Sequence, residues 1–363
     1  MDRVIGLISA NFDTRGLGEL TEERTVASLP YGGNYRVVDF PLSNMVNSGI
    51  KTIGLVTPYK YRSLMDHVGA GKAWDLSRKN GGLFILPGSV FGIRNEYAHF
   101  LLRDLSRNMV YFQRSPAPYV LVSSANVISH MDYRPLVREH IQSGADITMV
   151  YNTADRDEPN RLGVKVENGR VVGFKPNPMK YEDVCLDTFI ISREILLKIL
   201  EWYAAIDYLD IFEAIEGDLD KMDVRAYKYE GYARSVYTSR EYFEYSMELL
   251  NLDVAKELFR RESPIATKAQ EAAPAKYLEG AKVRNSMVAA GCLIEGEVEH
   301  SILFRGVKVC PGAVVKNSII MQRCVIEEGA RVENVIIDKS NVIRAGTVIR
   351  GSGDTTFVME KTM

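Results

Sequence analysis

Val307-Lys-Val-Cys-Pro-Gly-Ala-Val-Val-Lys-Asn-Ser-Ile-Ile-Met-Gln-Arg-Cys-Val-Ile-Glu-Glu-Gly-Ala-Arg-Val-Glu-Asn-Val-Ile-Ile337 repeats a residue type every six positions. Val307, Ala313, Ile319, Val325, Arg331, Ile337, Ile343 and Ile349 form one column, apolar at seven of its eight positions. Val314, Ile320, Ile326 and Val332 form a second column beside it. A period of six fits neither a helix nor an isolated hairpin. It fits a β-solenoid, whose coils each stack three short strands with one apolar residue per strand turned inward. No chemistry is visible in this stretch, so it reads as a stacking and assembly element. Open solenoid edges invite strand pairing unless they are covered, which predicts subunit contacts at the edges and the terminal coil.

Upstream, Glu262–Lys276 is small, polar and interrupted by Pro264 and Pro274, the composition of a linker. The chain therefore divides into residues 1–260, a linker over 261–278, and the solenoid over 279–363. In the first part, Val4–Ile8, Thr52–Thr57, Tyr119–Ser123 and Asp146–Tyr151 are Val-, Ile- and Thr-rich runs suited to buried strands of a parallel sheet. Leu42–Ser48, ending at Gly49, and Pro135–Gln142 have helical spacing. Residues 163–174 alternate about Asn168-Gly169, a type I′ hairpin signal. Strand–helix alternation predicts a doubly wound α/β domain with ligands at the carboxyl ends of its strands. Those ends include the loops after Ile8 and Ser123.

Composition narrows the function. The 363 residues are 46% hydrophobic and 25% charged, as in globular proteins, and the formal net charge of −2 argues against a nucleic-acid or anionic-membrane surface. The apolar run after Asp2-Arg3 is too short for a signal peptide or a membrane span. Cys185, Cys292, Cys310 and Cys324 form no CxxC pair, and the five histidines are scattered, so free thiols in a reducing cytoplasm are expected rather than a metal site.

Nucleotidyl transfer would need phosphate-binding amides or cations, carboxylates for Mg²⁺, and a cation for a second phosphate. The loop after the first strand reads Ser9-Ala10-Asn11-Phe12-Asp13, placing side chains where a glycine turn would leave room. Arg15 alone follows as a cation. The strand Leu121-Val-Ser-Ser-Ala-Asn126 ends in an amide, and Asp132 lies where it would cap the next helix. Gly231-Tyr-Ala-Arg-Ser-Val-Tyr-Thr238 centres on Ser235 and contains no acid. In Phe174-Lys-Pro-Asn-Pro178, Lys175 is a point charge that could hold a phosphate or simply lie at the surface.

Tyr31-Gly-Gly-Asn-Tyr-Arg-Val-Val-Asp-Phe-Pro-Leu-Ser-Asn44, Asn47-Ser-Gly-Ile50, Ala73-Trp-Asp-Leu-Ser-Arg-Lys-Asn-Gly-Gly82 and the hexapeptide tail resemble bacterial glucose-1-phosphate adenylyltransferase over essentially the whole chain. The resemblance implies a Rossmann-like nucleotidyltransferase domain followed by a left-handed parallel β-helix. It also implies a tetramer that uses Mg²⁺, ATP and glucose 1-phosphate in glycogen synthesis. Laid on the family's motifs, the glycine-rich loop falls on Ala10 to Arg15 without its glycines, and the spacing on to Leu20-Thr21 is one residue longer. The following Lys-Pro falls on Val26-Ala27. The metal-binding Asp of Gly-Asp-His falls on Asn126, and the second metal Asp falls on Ser235. The glycine of the sugar-binding Ser-Met-Gly strand falls on Thr188. The sugar-phosphate lysine is retained as Lys175, behind Phe174 in place of an acid.

Two metal carboxylates and a phosphate lysine that serve one reaction are thus absent together, while the scaffold motifs remain. This resembles the non-catalytic subunit that accompanies the catalytic one in some bacteria. The resemblance implies a cytoplasmic regulatory partner, in a hetero-tetramer or as a homo-oligomer when alone. No cofactor is expected for this chain by itself, with Mg²⁺ serving the catalytic partner. Lys175 and Arg36 are candidates for a sugar-phosphate or other anionic effector, unless Arg36 pairs with Asp39 or another acid. Two alternatives remain: a weak adenylyltransferase using Asn126, Asp13 or Asp132 as substitute ligands, and a free-standing sugar-phosphate sensor.

Overall fold

The computed structural model describes residues 3–12, 14–89, 98–352 and 357–360. Contacts divide the chain into two compact units. One comprises Met1–Asp13, Val38–Ser235 and Arg260–Ala266; the other comprises Thr14–Val37, Val236–Phe259 and Thr267–Met363. This division differs from a single boundary near residue 260. The presumed linker begins inside the first unit: Asn47 Nδ2 donates to the carbonyls of Ser263 and Pro264, both at 3.1 Å, and Ala266 N donates to Ser43 Oγ at 2.9 Å.

The first unit is built on a nine-stranded sheet. Its order is Gly82–Pro87, Thr52–Thr57, Val4–Ser9, Tyr119–Ser124, Asp183–Ser192, Ile147–Thr153, Val224–Lys228, Arg170–Pro176, Leu162–Glu167. The first four strands are mutually parallel, as their continuous apolar runs require. Asp183–Ser192 then enters antiparallel to both of its main neighbours, so the sheet is mixed rather than wholly parallel. Its long apolar run gave no sign of direction, because a strand buried on both faces reads alike either way. The hairpin forms as expected, Arg170 facing Glu167 across Asn168 (φ 50°) and Gly169 (φ 77°). The helix Tyr133–Ser143 starts where Asp132 accepts from Arg134 N and stops at Gly144 (φ 66°). Phe100, Phe189 and Phe212 pack edge to face at its core, with centroids 5.4–5.6 Å apart.

In the second unit, residues 276–352 and 357–359 belong to the left-handed β-helix, three five-stranded parallel sheets that each take one strand per coil. Most coils advance 17 residues, seen in the Ser301–Ser318 and Ser318–Val335 bonds, whereas Met287 to Ile302 advances 15 and Val335 to Phe357 advances 22. A 17-residue coil is one short of three full hexads, so a strict six-residue column drifts from inside to outside. Ile337 and Ile343 point into the coil, whereas Val325 is half-buried and Arg331 is exposed. The inner column is instead Val309, Val315, Ile320, Ile326, Val332, Ile337 and Ile343. Ile319 and Ile336 are fully buried outside that inner cluster, which marks their sheet as covered.

Candidate functional site

The turn after the first strand is closed by side chains. Ala10 N donates to Val56 O at 2.9 Å, which leads Asn11 and Phe12 inward, 2% and 5% exposed. Asn11 Nδ2 donates to Asp104 Oδ2 at 2.6 Å and to Ser89 O at 3.1 Å, while Asp104 Oδ1 accepts from Ser89 N at 2.6 Å. Phe12 lies against His99, ring centroids 4.7 Å apart, and His99 Nδ1 meets Asp187 Oδ2 at 2.9 Å. A loop whose polar atoms already serve Asp104 and whose ring packs on an imidazole has no cradle geometry. Asp13 lies outside the described residues.

Asp187 has a backbone unlike that of Thr188 beside it. Its φ is 47°, in the left-handed region that favours glycine, whereas Thr188 lies in the regular pairing with Ser123. The Asp187 side chain goes to His99.

Asn126 and Ser235 are brought together. Asn126 joins Tyr119–Ser124 to Val127–Ser129, and in the antiparallel pair Val127–Ser129 with Ala233–Ser235 the residue opposite Ser235 is Val127. Both are buried, at 0% and 2% exposure. Beside Ser235 is a cavity of about 20 Å³, lined among others by Asp155, Glu158, Arg161 and Arg234. Arg161 Nε lies 2.6 Å from Glu158 Oε2, and Arg161 Nη2 donates to Ser235 O at 2.7 Å. Arg234 Nη2 meets Asp155 Oδ2 at 2.7 Å. Burial alone would raise the Asp155 carboxyl, but the Arg234 hydrogen bond and charge outweigh it and hold it below its ordinary range.

Magnesium takes oxygen ligands and favours carboxylate charge. Asn126 and Ser235 bring none, and both carboxylates of the cavity face arginines, so these residues do not fit a divalent ion. Among the described residues no group of three His, Cys, Asp or Glu side chains gathers as a metal-binding set. Asp132 is engaged as a helix cap and with Arg134 Nε at 2.9 Å.

Lys175 lies in the same unit on the hairpin's second strand. Its Nζ is 2.5 and 2.8 Å from the two Glu182 oxygens, and Met179 N donates to Glu182 Oε2 at 2.7 Å. The Lys175 hydrogen bond holds the Glu182 carboxyl below its ordinary range. Phe174 is part of the core, 8% exposed. Arg15, Val26 and Arg36 belong to the second unit. Arg15 is exposed at the start of a short turn, Val26 is fully buried, and Arg36 is half-buried opposite Pro30. Asp39 Oδ1 is 2.5 Å from His67 Nε2, so this acid serves a histidine.

Sequence reasoning missed Glu158, Arg161, Asp104, His99 and Glu182. Each acts through a partner distant in the chain or across a turn, and none sits in a pattern with a period.

Residues 14–227 match the family described as Nucleotidyl transferase, and residues 273–355 match GlmU-like, C-terminal hexapeptide. The chain is 34% identical over 361 residues to the glycogen biosynthesis protein GlgD of Bacillus subtilis (strain 168), covering 99% of this chain and 96% of that one. It is 35% identical over 319 residues to GlgD of Geobacillus stearothermophilus, with 86% and 83% covered. It is 32% identical over 358 residues to the glucose-1-phosphate adenylyltransferase of Bacillus mycoides (strain KBAB4), with 96% and 95% covered.

Proposed function

The chain belongs to the glucose-1-phosphate adenylyltransferase family, and from that premise we propose that it is a non-catalytic, regulatory subunit of that enzyme, acting in glycogen biosynthesis. Its partner would be a catalytic subunit that makes ADP-glucose from ATP and glucose 1-phosphate with Mg²⁺. One observation carries the reading: the neighbouring positions Asn126 and Ser235 are buried and uncharged, and the cavity beside Ser235 is occupied by carboxylate–arginine pairs. Metal stabilisation of developing charge supplies several kcal/mol, and each ~1.4 kcal/mol is roughly tenfold in rate. A site without those ligands loses several orders of magnitude, even with non-additive effects.

A chain that does no chemistry can still act through its contacts. It would raise a partner's activity by binding the partner's active conformation more tightly than the inactive one. An anionic effector at Lys175 would have to displace Glu182, which makes Lys175 a conditional site rather than an open one. Asp132, committed to its helix, lends no support to substitute catalysis.

The reading is tested by co-expression with the catalytic subunit of the same cell, followed by size-exclusion chromatography and ultracentrifugation. Co-elution as a hetero-oligomer of fixed ratio is the expected result. A homo-oligomer that ignores the catalytic subunit would instead support the sugar-phosphate sensor.

A further inference from the structure

Arg161 is 5% exposed, directly ahead of the Leu162–Glu167 strand. Its guanidinium spans two groups of different origin: Glu158, three residues earlier, and the carbonyl of Ser235, at the end of a strand far along the chain. Among the described residues four charged side chains line the cavity, Asp155, Glu158, Arg161 and Arg234, and their formal charges cancel. The volume of about 20 Å³ is room for a water molecule and little more.

We propose that Arg161 is a built-in cation that takes the place of a divalent ion at this strand end, leaving the site charge-complete and closed to metal. This deepens the non-catalytic reading and rests on it. A guanidinium suits the role because it stays charged when buried and its planar fork serves a carboxylate and a carbonyl together. An ammonium in the same place would tend to lose its proton. A carboxylate placed at residue 235 would stand on the residue whose carbonyl Arg161 already holds. Mg²⁺ would have to shed water to compete for the same oxygens. Restoring acids at 126 and 235 is therefore not enough to restore a metal site.

The test uses the full chain and Mn²⁺ alone, read by electron paramagnetic resonance of the free ion and by water-proton relaxation. The variants are N126D/S235D and the same pair in an E158Q/R161Q background. Neutralising Glu158 and Arg161 together leaves the formal charge unchanged, so any difference reports where the cation sits. It also removes both charges of the buried pair together. The expected result is N126D/S235D affinity close to the unaltered chain's, and a gain of about tenfold or more once Glu158 and Arg161 are neutral. Equal affinity with and without Arg161, or no gain in a folded quadruple variant, would overturn the proposal.

Should the quadruple variant not fold, S235D alone decides. Its melting temperature should not respond to Mn²⁺, and a rise of several degrees would overturn the proposal. Tight Mn²⁺ binding by the unaltered chain would sink both this inference and the metal-free reading beneath it. A failure confined to the variants would remove only the inference.

Discussion

The β-helix of the second unit and the strand-end cavity of the first use polar groups in opposite ways. In the β-helix they are neutral and repeat from coil to coil: Ser301 Oγ accepts from Ser318 N, Ser318 Oγ from Val335 N, and Asn317 Nδ2 donates to Asn334 Oδ1. Each group serves the next copy of its own coil. In the cavity they are charged and unique, and Arg161 joins Glu158 to a carbonyl in another strand. A solenoid can absorb drift because a coil answers only to its neighbours. The cavity has no such repeat, since its charges meet partners found nowhere else in the fold. Repeated neutral bonds and unique charge pairs should therefore answer substitution differently.

The largest effect is expected where this contrast is pressed hardest. Ile337→Asp puts an unpaired charge inside a coil, where Ile337 is fully buried. It should cost about 5 kcal/mol, and urea unfolding should show it in the second unit. Val348→Asp, on an exposed position of the last coil, should change little. Equal responses from the two would break the inner-column assignment.

Next comes the cavity. Arg161→Ala removes the guanidinium 2.6 Å from the buried Glu158 carboxylate and should cost about 3–5 kcal/mol, whereas E158Q/R161Q should cost clearly less. The comparison is read from denaturation midpoints at constant m. Equal losses would mean that packing, not charge balance, holds the cavity together.

The smallest effect is one of pH. His140 is fully buried, its Nδ1 2.8 Å from Thr148 Oγ1, and burial pushes its imidazole down to about 4 against a smaller upward pull from Asp146. The folded value lies below the ordinary one of about 6.5, so the unfolded chain takes up the proton first. The His140 contribution is therefore present above pH ~6.5 and lost as pH falls toward ~4. Asp210 works in the other direction: burial raises it to about 6, so its contribution is present at low pH and is lost as pH rises through that value. The stability difference between the unaltered chain and His140→Gln should accordingly narrow across this window. A pH-independent difference would contradict the buried, neutral imidazole.

The residues explain which features could be read from the sequence. Asn168-Gly169 announced its hairpin because a type I′ turn needs two left-handed residues. Asp132 marked the start of a helix by a local bond. The six-residue pattern disclosed the solenoid, but the 17-residue coil was hidden, since a one-residue slip moves a whole column to the other face. Asn126 and Ser235 could be singled out by what they lack. Arg161, His99 and Asp104 could not, because their meaning comes from partners in other segments. The left-handed backbone of Asp187 was equally silent, an Asp standing where only φ reveals a glycine-like position.

The central claim is that this chain does no adenylyl transfer and acts through a catalytic partner. Pyrophosphate release from ATP and glucose 1-phosphate with Mg²⁺ tests it most directly, first with this chain alone and then with it titrated into the catalytic subunit. The account predicts no turnover alone and a saturable change in the mixture, whose saturation point gives the stoichiometry. Turnover by the isolated chain that survives stringent purification would contradict it, because Asn126 and Ser235 would then have working substitutes.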